Sequence, residues 1–179
     1  NLGKGGTQMG TTLQETPSGN RLHIGIFGKT NSGKSAFINA FSGQAVSIVA
    51  DVKGTTTDPV YKAMEIAPLG PCVLIDTAGF DDEGELGAMR MEKTALAAQK
   101  TELALILFAS VDMETELEWF RYFQGKKTPV IPVVSKSDLR SEKENQTFAE
   151  KLREQTKEKV CIVSAKTGAG IAELKERMI

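Results

Sequence analysis

The chain has 179 residues and a mass of 19.3 kDa, which is the length of one domain built around a single core. Its 40% hydrophobic and 25% charged residues are ordinary globular values and exclude a disordered chain. With 22 Lys and Arg against 23 Asp and Glu, the balance disfavours a nucleic-acid reader that works through a basic field, and no apolar stretch approaches the roughly 20 residues of a membrane span. We therefore expect a cytoplasmic globular protein.

The elements are predicted in chain order. Residues 1–20 are rich in Gly, Thr and Ser and lack periodicity, which predicts a flexible arm before a domain over 21–179. From Arg21 onward, short Val/Ile/Leu runs alternate with helical patterns, as in strands joined by crossover helices. Strands are predicted at 22–27, 60–66, 72–75, 103–108, 130–134 and 160–163, and helices at 34–41, 85–100, 113–123, 141–156 and 171–178.

One predicted strand differs from the others. Residues 60–66 alternate apolar and polar positions, so we expect a half-exposed strand antiparallel to the next, with a turn at Leu69-Gly70-Pro71. The prediction is a three-layer α/β domain with a mostly parallel six-stranded sheet, one antiparallel strand and helices on both faces.

The strongest motif is GKTNSGKS, residues 28–35, directly after the first predicted strand and at the start of a helix. That context is typical of a phosphate-binding loop, in which glycines allow backbone N–H groups to point at phosphate oxygens. A lysine then adds charge near the β- and γ-phosphates, and a hydroxyl binds Mg²⁺. The predicted phosphate contacts are Gly28, Asn31, Ser32, Gly33, Lys34, Ser35 and Ala36, with Ser35 as a Mg²⁺ ligand.

Two further motifs fit the same chemistry. DTAG follows an apolar strand, where the Asp76 carboxylate can hold a water on Mg²⁺ and the Gly79 N–H can meet the γ-phosphate. GTTTDP, residues 54–59, offers a threonine that closes over the nucleotide and binds Mg²⁺ through its hydroxyl. Thr56 is the first choice and Thr55 the second; hydroxyls satisfying an ordinary surface loop are the alternative.

The segments VVSKSD and VSAK each follow a buried strand and resemble the base-recognition loops of GTPases. One carboxylate of Asp138 can accept hydrogen bonds from both N1–H and the exocyclic amine of guanine, whereas adenine presents an unprotonated N1 that repels it. The predicted base contacts are Ser135, Lys136, Asp138, Ser164, Ala165 and Lys166.

The order GKTNSGKS, GTTTD, DTAGF, SKSD, SAK resembles the P-loop (Ras-like) GTPases of the Era and tRNA-modification group. More closely, TPSGNRLHIGIFGKTNSGKS, GTTTDPVYKAMEIAPLGP and DTAGFDDEGELGAMR resemble the GTPase domain of the FeFe-hydrogenase maturation family HydF. In that family, dimerisation and cluster-binding domains follow; neither is expected within this chain. The resemblance implies a nucleotide-responsive module, without an iron–sulfur cluster of its own, in a scaffold that receives a di-iron precursor from partner enzymes and passes it to apo-hydrogenase.

The resemblance also implies the cofactors GTP or GDP, Mg²⁺ and K⁺, because in Era-like proteins an asparagine at the position of Asn31 coordinates K⁺. Catalytic roles then fall to Lys34, Asn31, Thr56 and Gly79. Ras-like hydrolases place a glutamine where this chain has Phe80, so we expect turnover on the order of 10⁻⁴ to 10⁻² per second. A nucleotide-dependent pairing of two such domains is also implied, without membrane or nucleic-acid partners.

One position departs from the family pattern. The base-reading motif of the family begins with asparagine, and this chain has Ser135. The shorter side chain cannot reach the guanine edge and the phosphate loop together, a loss of about 1 to 3 kcal/mol. Two alternatives to a GTP-hydrolysing switch remain: an assembly platform in which hydrolysis is incidental, and an RNA-associated GTPase.

Three other features have structural interpretations. Cys72 and Cys161 lie in Val/Ile-rich runs and are predicted to be buried and unpaired. The single histidine, His23, is predicted to pack rather than act as a pH switch. An aromatic-rich helix is predicted to pack in the core, with a contact to further domains as the alternative; its aromatic residues are Trp119, Phe120, Tyr122 and Phe123.

Overall fold

The computed structural model describes residues 21–29, 31–43, 46–47, 59–77 and 84–179, without the side chains of 46–47 and 84–91. The strands are β1 (Leu22–Phe27), β2 (Val46–Ser47), β3 (Val60–Ile66), β4 (Gly70–Asp76), β5 (Leu103–Phe108), β6 (Val130–Val134) and β7 (Cys161–Ile162). The helices are α1 (Lys34–Ser42), α2 (Gly84–Lys100), α3 (Glu114–Gly125), α4 (Glu142–Thr156) and α5 (Ile171–Arg177). A 3₁₀ helix, Ser137–Leu139, follows β6.

The strands form one sheet in the order β2-β3-β4-β1-β5-β6-β7. Strand β3 runs antiparallel to both of its neighbours, and the remaining pairs are parallel. All six predicted strands, including the antiparallel one, are therefore confirmed. The seventh, β2, is an edge strand that pairs Val46 with Glu65 and Ser47 with Met64; two residues are too few to show a period in sequence.

The turn between β3 and β4 lies earlier than predicted. The turn occupies residues 67–69, and Gly70 and Pro71 already pair with Ile66 and Glu65. A proline is tolerated at this point because β4 pairs with β1 only from Cys72 onward, so the missing N–H removes no bond of the parallel ladder. The predicted turn at Leu69-Gly70-Pro71 is therefore wrong by about two residues, although the hairpin it closes is correct.

Alternate residues of the central strands enter two cores, one on each face of the sheet. On one face, Ile26 packs with Phe37 and Phe41 of α1. On the other, Phe27 packs with α3, and its ring lies 5.0 Å from that of Phe123 and 5.8 Å from that of Trp119. These layers fix β1 at the centre of the sheet and place α1 directly after it.

Most of the buried positions predicted from sequence are confirmed. Trp119, Phe120 and Phe123 are buried, whereas Tyr122 is 38% exposed. Cys72 is buried and Cys161 half-buried, and both are free thiols; burial raises the pKa of Cys72 to about 11, which makes it unreactive. Within the described residues no helix is long and apolar enough to cross a membrane.

Candidate nucleotide site

Four of the five predicted motifs meet at the carboxyl ends of the parallel strands; GTTTDP lies outside the described residues except for Pro59. The phosphate loop follows β1, Asp76 ends β4, and the two predicted base loops follow β6 and β7. Since β4 and β1 are neighbours in the sheet, Asp76 lies opposite Ile26, two residues before Gly28. In open α/β sheets this edge is where ligands bind.

Two glycines shape the phosphate loop. Gly33 has φ 81° and ψ 25°, a left-handed conformation that other residues adopt at a cost. At Gly28, a Cβ would lie 2.6 Å from Ser32 Oγ, so a side chain would collide with the loop itself. The Ser32 N–H donates to the Lys29 carbonyl at 3.0 Å, which closes the loop before α1 begins. The N-terminal end of α1 therefore adjoins the loop. The helix dipole favours anions at this end.

The Lys34 ammonium is held at the mouth of this loop. Lys34 is only 9% exposed; its Nζ donates to the Thr77 carbonyl and lies 3.5 Å from Asp76 Oδ1. The Thr77 hydroxyl in turn donates to the Ile26 carbonyl at 2.8 Å, which fixes the segment after β4 against β1. A phosphate oxygen could replace the Thr77 carbonyl as the acceptor of the ammonium.

The residues present suit a magnesium ion bound together with a nucleotide. Among the described residues no group of three or more His, Cys, Asp or Glu side chains could hold a metal by itself. Mg²⁺ usually keeps several waters and takes one or two protein oxygens plus substrate phosphates. The exposed Ser35 hydroxyl and the half-buried Asp76 carboxylate are oxygen donors of this kind. The predicted third ligand, Thr56, lies outside the described residues.

A cavity of about 180 Å³ lies between α1 and the loops after β6 and β7. Lys136, with φ 57°, forms one wall: a Cβ on Gly33 would lie 3.0 Å from Lys136 Cε, and Lys136 Nζ donates to the Asn31 carbonyl at 2.6 Å. The base loop is thereby joined to the phosphate loop. The cavity is lined by Gly33, Ala36, Phe37, Ser135, Lys136, Asp138, Leu139, Val163, Ala165 and Lys166.

The Asp138 carboxylate is oriented by a residue of the last loop. Asp138 Oδ1 accepts from Ser164 Oγ at 2.8 Å, and Ser164 Oγ accepts from the Thr167 N–H at 3.1 Å. Ser164 is buried and does not line the cavity. Ser164, predicted as a base contact, is thus hydrogen-bonded to Asp138, while Ala165 and Lys166 line the cavity.

Ser135 contacts the phosphate loop through its hydroxyl, which donates to the Ser32 carbonyl at 2.8 Å. Both residues are buried. The hydroxyl of Ser135 is therefore hydrogen-bonded to the phosphate loop; whether it also contacts guanine stays a prediction. Serine at this position preserves the link between the two loops.

Lys29 forms a contact that no sequence motif indicated. Its Nζ donates to the Asp112 carbonyl at 2.7 Å and lies 3.6 Å from Glu116 Oε1 in the first turn of α3. Glu116 is 1% exposed, and burial raises the pKa of its carboxyl group, although the ammonium of Lys29 opposes the shift. The phosphate loop is thus tied electrostatically to α3. Glu116 has no sequence signature beyond the acidic first turn common to helices.

The buried Glu116 carboxylate makes stability depend on pH in a predictable direction. A carboxyl group whose pKa is raised by folding contributes stability below its ordinary pKa of 4.5, and that contribution is lost as pH rises through the folded pKa. The Glu116→Gln variant does not lose this contribution. Its free energy of unfolding relative to that of the parent is therefore expected to increase between pH 4.5 and pH 7, by about 1.4 kcal/mol for each unit by which the pKa of Glu116 differs between the folded and the unfolded chain.

Circular dichroism with urea at pH 4.5 and pH 7 measures this difference. The exposed Glu118→Gln on the same helix is the matched control, and its difference from the parent should stay constant with pH. A Glu116→Gln difference that also stays constant would contradict the prediction.

The structure brings together every predicted site residue that it describes, namely Gly28, Asn31, Ser32, Gly33, Lys34, Ser35, Ala36, Asp76, Ser135, Lys136, Asp138, Ser164, Ala165 and Lys166. Thr55, Thr56, Gly79 and Phe80 lie outside the described residues. Sequence reasoning did not identify Lys29, Glu116 or Arg140; the last of these binds three backbone carbonyls beside the cavity.

This fold and site define a P-loop GTPase domain. The family model described as 50S ribosome-binding GTPase matches residues 23–136, and the chain belongs to that family. It is 34% identical to GTPase Der of Wolinella succinogenes over 93% of this chain and 37% of that protein. It is 31% identical to the tRNA modification GTPase MnmE of Endomicrobium trichonymphae over 88% of this chain and 35% of that protein.

Solved structures of Era share the fold. Era in complex with MgGDPNP and a segment of 16S ribosomal RNA superposes with a TM-score of 0.71, at 24% identity, over 87% of this chain and 55% of that chain. An Aquifex aeolicus Era variant bound to GDP and AlF₄⁻ gives a TM-score of 0.70 at 23% identity, with the same coverage. The chain spans little more than a third of the curated relatives above. The family match and the relatives named as GTPases give GTP binding and GTP hydrolysis as the functions of this domain.

Proposed function

We propose that the chain is the nucleotide switch of a larger protein: it binds Mg²⁺-GTP, hydrolyses it slowly with K⁺ as an accelerator, and alternates between two arrangements. The observation that carries this proposal is the direct joining of a phosphate loop to a base cavity, through the Lys136 ammonium on the Asn31 carbonyl at 2.6 Å. A ligand that fills both parts must have a purine-sized end and a phosphate tail.

Each part of the site then has a task. Lys34 neutralises charge on the β- and γ-phosphates, where the backbone N–H groups of the loop also point. Ser35 and Asp76 would hold Mg²⁺, which when bound neutralises phosphate charge. Asp138, oriented by Ser164 at 2.8 Å, accepts from the guanine base. We further propose that the segments around residues 54–59 and 79–87 respond to the γ-phosphate, because a phosphate that GTP has and GDP lacks supplies the differential affinity that a switch requires.

We assign the potassium acceleration to Asn31, an exposed residue of the phosphate loop. A monovalent cation at this point would stabilise charge that develops during phosphoryl transfer. We expect GTP turnover to be about tenfold faster in KCl than in NaCl, a smaller effect than the roughly 100-fold or more that one preorganised electrostatic donor contributes to turnover.

Phosphate release in the two salts at equal ionic strength measures the effect. Asn31→Ala should abolish the difference between the salts, whereas the exposed Asn39→Ala on α1 should keep it. Equal rates in both salts for the parent chain would remove the role given to Asn31 and leave GTP binding untouched.

For the whole protein we propose a role in assembling the FeFe-hydrogenase active site, which rests on the segments around the motifs that resemble the HydF family. None of the relatives named above is a hydrogenase maturation protein, and MnmE is named as a tRNA modification GTPase. An RNA-linked GTPase is therefore the second candidate, and these relatives favour it.

The protein that contains this chain can be assayed for both roles. Activation of apo-hydrogenase that requires a functional phosphate loop would support the assembly role. A shift of ribosomal or transfer RNA at about 150 mM salt, where non-specific electrostatic binding is weak, would instead support the RNA-linked role.

A further inference from the structure

Arg140 follows the 3₁₀ helix of the base loop and contacts three segments of the chain. Its Nη2 donates to the Ala109 carbonyl, just after β5, at 2.5 Å. Its Nη1 donates to the Ser135 carbonyl at 3.1 Å and lies 3.5 Å from the carbonyl of Lys136. The guanidinium thus spans the ends of two neighbouring strands and the first residues of the base loop.

Helix α4 also contacts this guanidinium through two of its residues. Nη1 also donates to Asn145 Oδ1 at 3.2 Å, and the guanidinium carbon lies 4.8 Å from the centre of the Phe148 ring. Asn145 is buried, and its Nδ2 donates to the Ser137 carbonyl at 2.9 Å. Asn145 and Phe148 therefore connect the loop after β6 to helix α4.

The backbone of the base loop needs such support. Lys136 has φ 57°, a left-handed conformation that is unfavourable for a residue other than glycine and persists only when its surroundings impose it. The carbonyls of Ser135 and Lys136 flank this point. A planar guanidinium with five donors can bind several carbonyls in fixed directions, whereas a lysine ammonium on a flexible stem cannot.

We propose that Arg140 is a positioning residue that sets guanine selectivity: by fixing the loop that carries Lys136 and Asp138, it holds the Asp138 carboxylate where it can accept two hydrogen bonds from the base. Arg140 does not line the cavity, so it acts through the loop. This inference rests on the proposed role of Asp138 in base recognition.

Selectivity, rather than affinity alone, is the property that distinguishes positioning from general stabilisation. The phosphate loop is expected to bind the diphosphate of any nucleotide, and the contacts of Lys34 with Thr77 and Asp76 do not involve Arg140. A displacement of the loop after β6 would weaken the hydrogen bonds between Asp138 and the base. The hydrogen bonds between the phosphate loop and the phosphates would stay in place. Inosine diphosphate shares the phosphates, ribose and N1–H of GDP but lacks the exocyclic amine, so the ratio of the two affinities reports on the second hydrogen bond to Asp138.

The test is the dissociation constant of GDP and of IDP for Arg140→Lys, by calorimetry with Mg²⁺. We expect GDP binding to weaken about tenfold and IDP binding about threefold, since the variant lacks the charge-assisted hydrogen bonds that the guanidinium gives to the loop. Arg121→Lys, an exposed arginine of α3, should leave both constants unchanged. Equal weakening of GDP and IDP, or none, would overturn the inference.

Two further variants keep the outcome interpretable. Asn145→Ala removes one partner of the guanidinium and should lower the GDP-to-IDP preference in the same direction, so it decides the matter if Arg140→Lys does not fold. Asp138→Ala tests the base site itself. If Asp138→Ala lowers the preference and the Arg140 and Asn145 variants do not, only the positioning role fails; if Asp138→Ala has no effect, the proposed base site fails, and the inference fails with it.

Discussion

Replacing Lys34 by alanine is expected to weaken the binding of both GTP and GDP by about 100-fold, or ~3 kcal/mol. Lys34 is 9% exposed and its ammonium is held between the Thr77 carbonyl and Asp76, so water screens its attraction to phosphate less than at a surface site. The loop N–H groups and the helix end remain in the variant and retain the residual affinity.

Calorimetry with GDP at millimolar Mg²⁺ measures the loss. Lys143→Ala, an exposed lysine on α4, is the matched control and should bind as the parent does. A thermal unfolding scan of each variant separates a defect in binding from a defect in folding. An affinity within threefold of the parent would show that phosphate recognition does not pass through Lys34.

The same variant distinguishes a switch from an assembly platform. If partner binding depends on nucleotide, the Lys34→Ala form of the whole protein should lose that dependence because it cannot hold the ligand. A platform with incidental hydrolysis should still bind its partners as before. Pull-down with and without GTP gives the answer.

The Asp138→Asn variant is expected to prefer xanthine nucleotides, whereas the parent prefers guanine nucleotides. GTP binding should weaken by about 100-fold and xanthosine triphosphate binding should strengthen. An aspartate offers only acceptors, which suit N1–H and the exocyclic amine of guanine. An asparagine offers an N–H₂ group, which clashes with that amine and suits the carbonyl that xanthine has at the same position.

Competition between GDP and xanthosine diphosphate measures the exchange. Ser164 Oγ can still donate to the amide oxygen of the variant, so the 2.8 Å contact has a counterpart there. Glu150→Gln, an exposed carboxylate of α4, should leave the preference for GDP intact. Weakened GDP binding with no gain for the xanthine nucleotide would mean that Asp138 stabilises the loop rather than contacting the base.

The local patterns of the sequence were sufficient for the framework of the site. A strand, a glycine-rich turn and a helix in succession predicted the phosphate loop, and both of its glycines are required by the left-handed backbone at Gly33 and the close approach at Gly28. Similarly, the placement of SKSD and SAK directly after apolar strands predicted which loops meet at the carboxyl edge, because parallel strands end on the same side.

The contacts between these segments could not be predicted in this way. Ser135 and Ser32, Lys29 and Glu116, and Arg140 and Ala109 are joined across sequence separations of 103, 87 and 31 residues. Each pair depends on the order of strands in the sheet and on side-chain directions, which leave no periodic trace. Ser164 is a further case, since its hydrogen bond to Asp138 joins two loops that are 26 residues apart in the chain.

The sequence by itself determined the element types, the antiparallel strand and the chemistry at the strand ends, because periodicity and turn residues act over a few neighbouring positions. Only the tertiary structure decided which side chains support which: the buried acid beside the phosphate loop, the hydroxyl that orients Asp138 and the guanidinium beneath the base loop. These depend on distances between segments that are far apart in the chain, and folding of the whole sheet sets those distances.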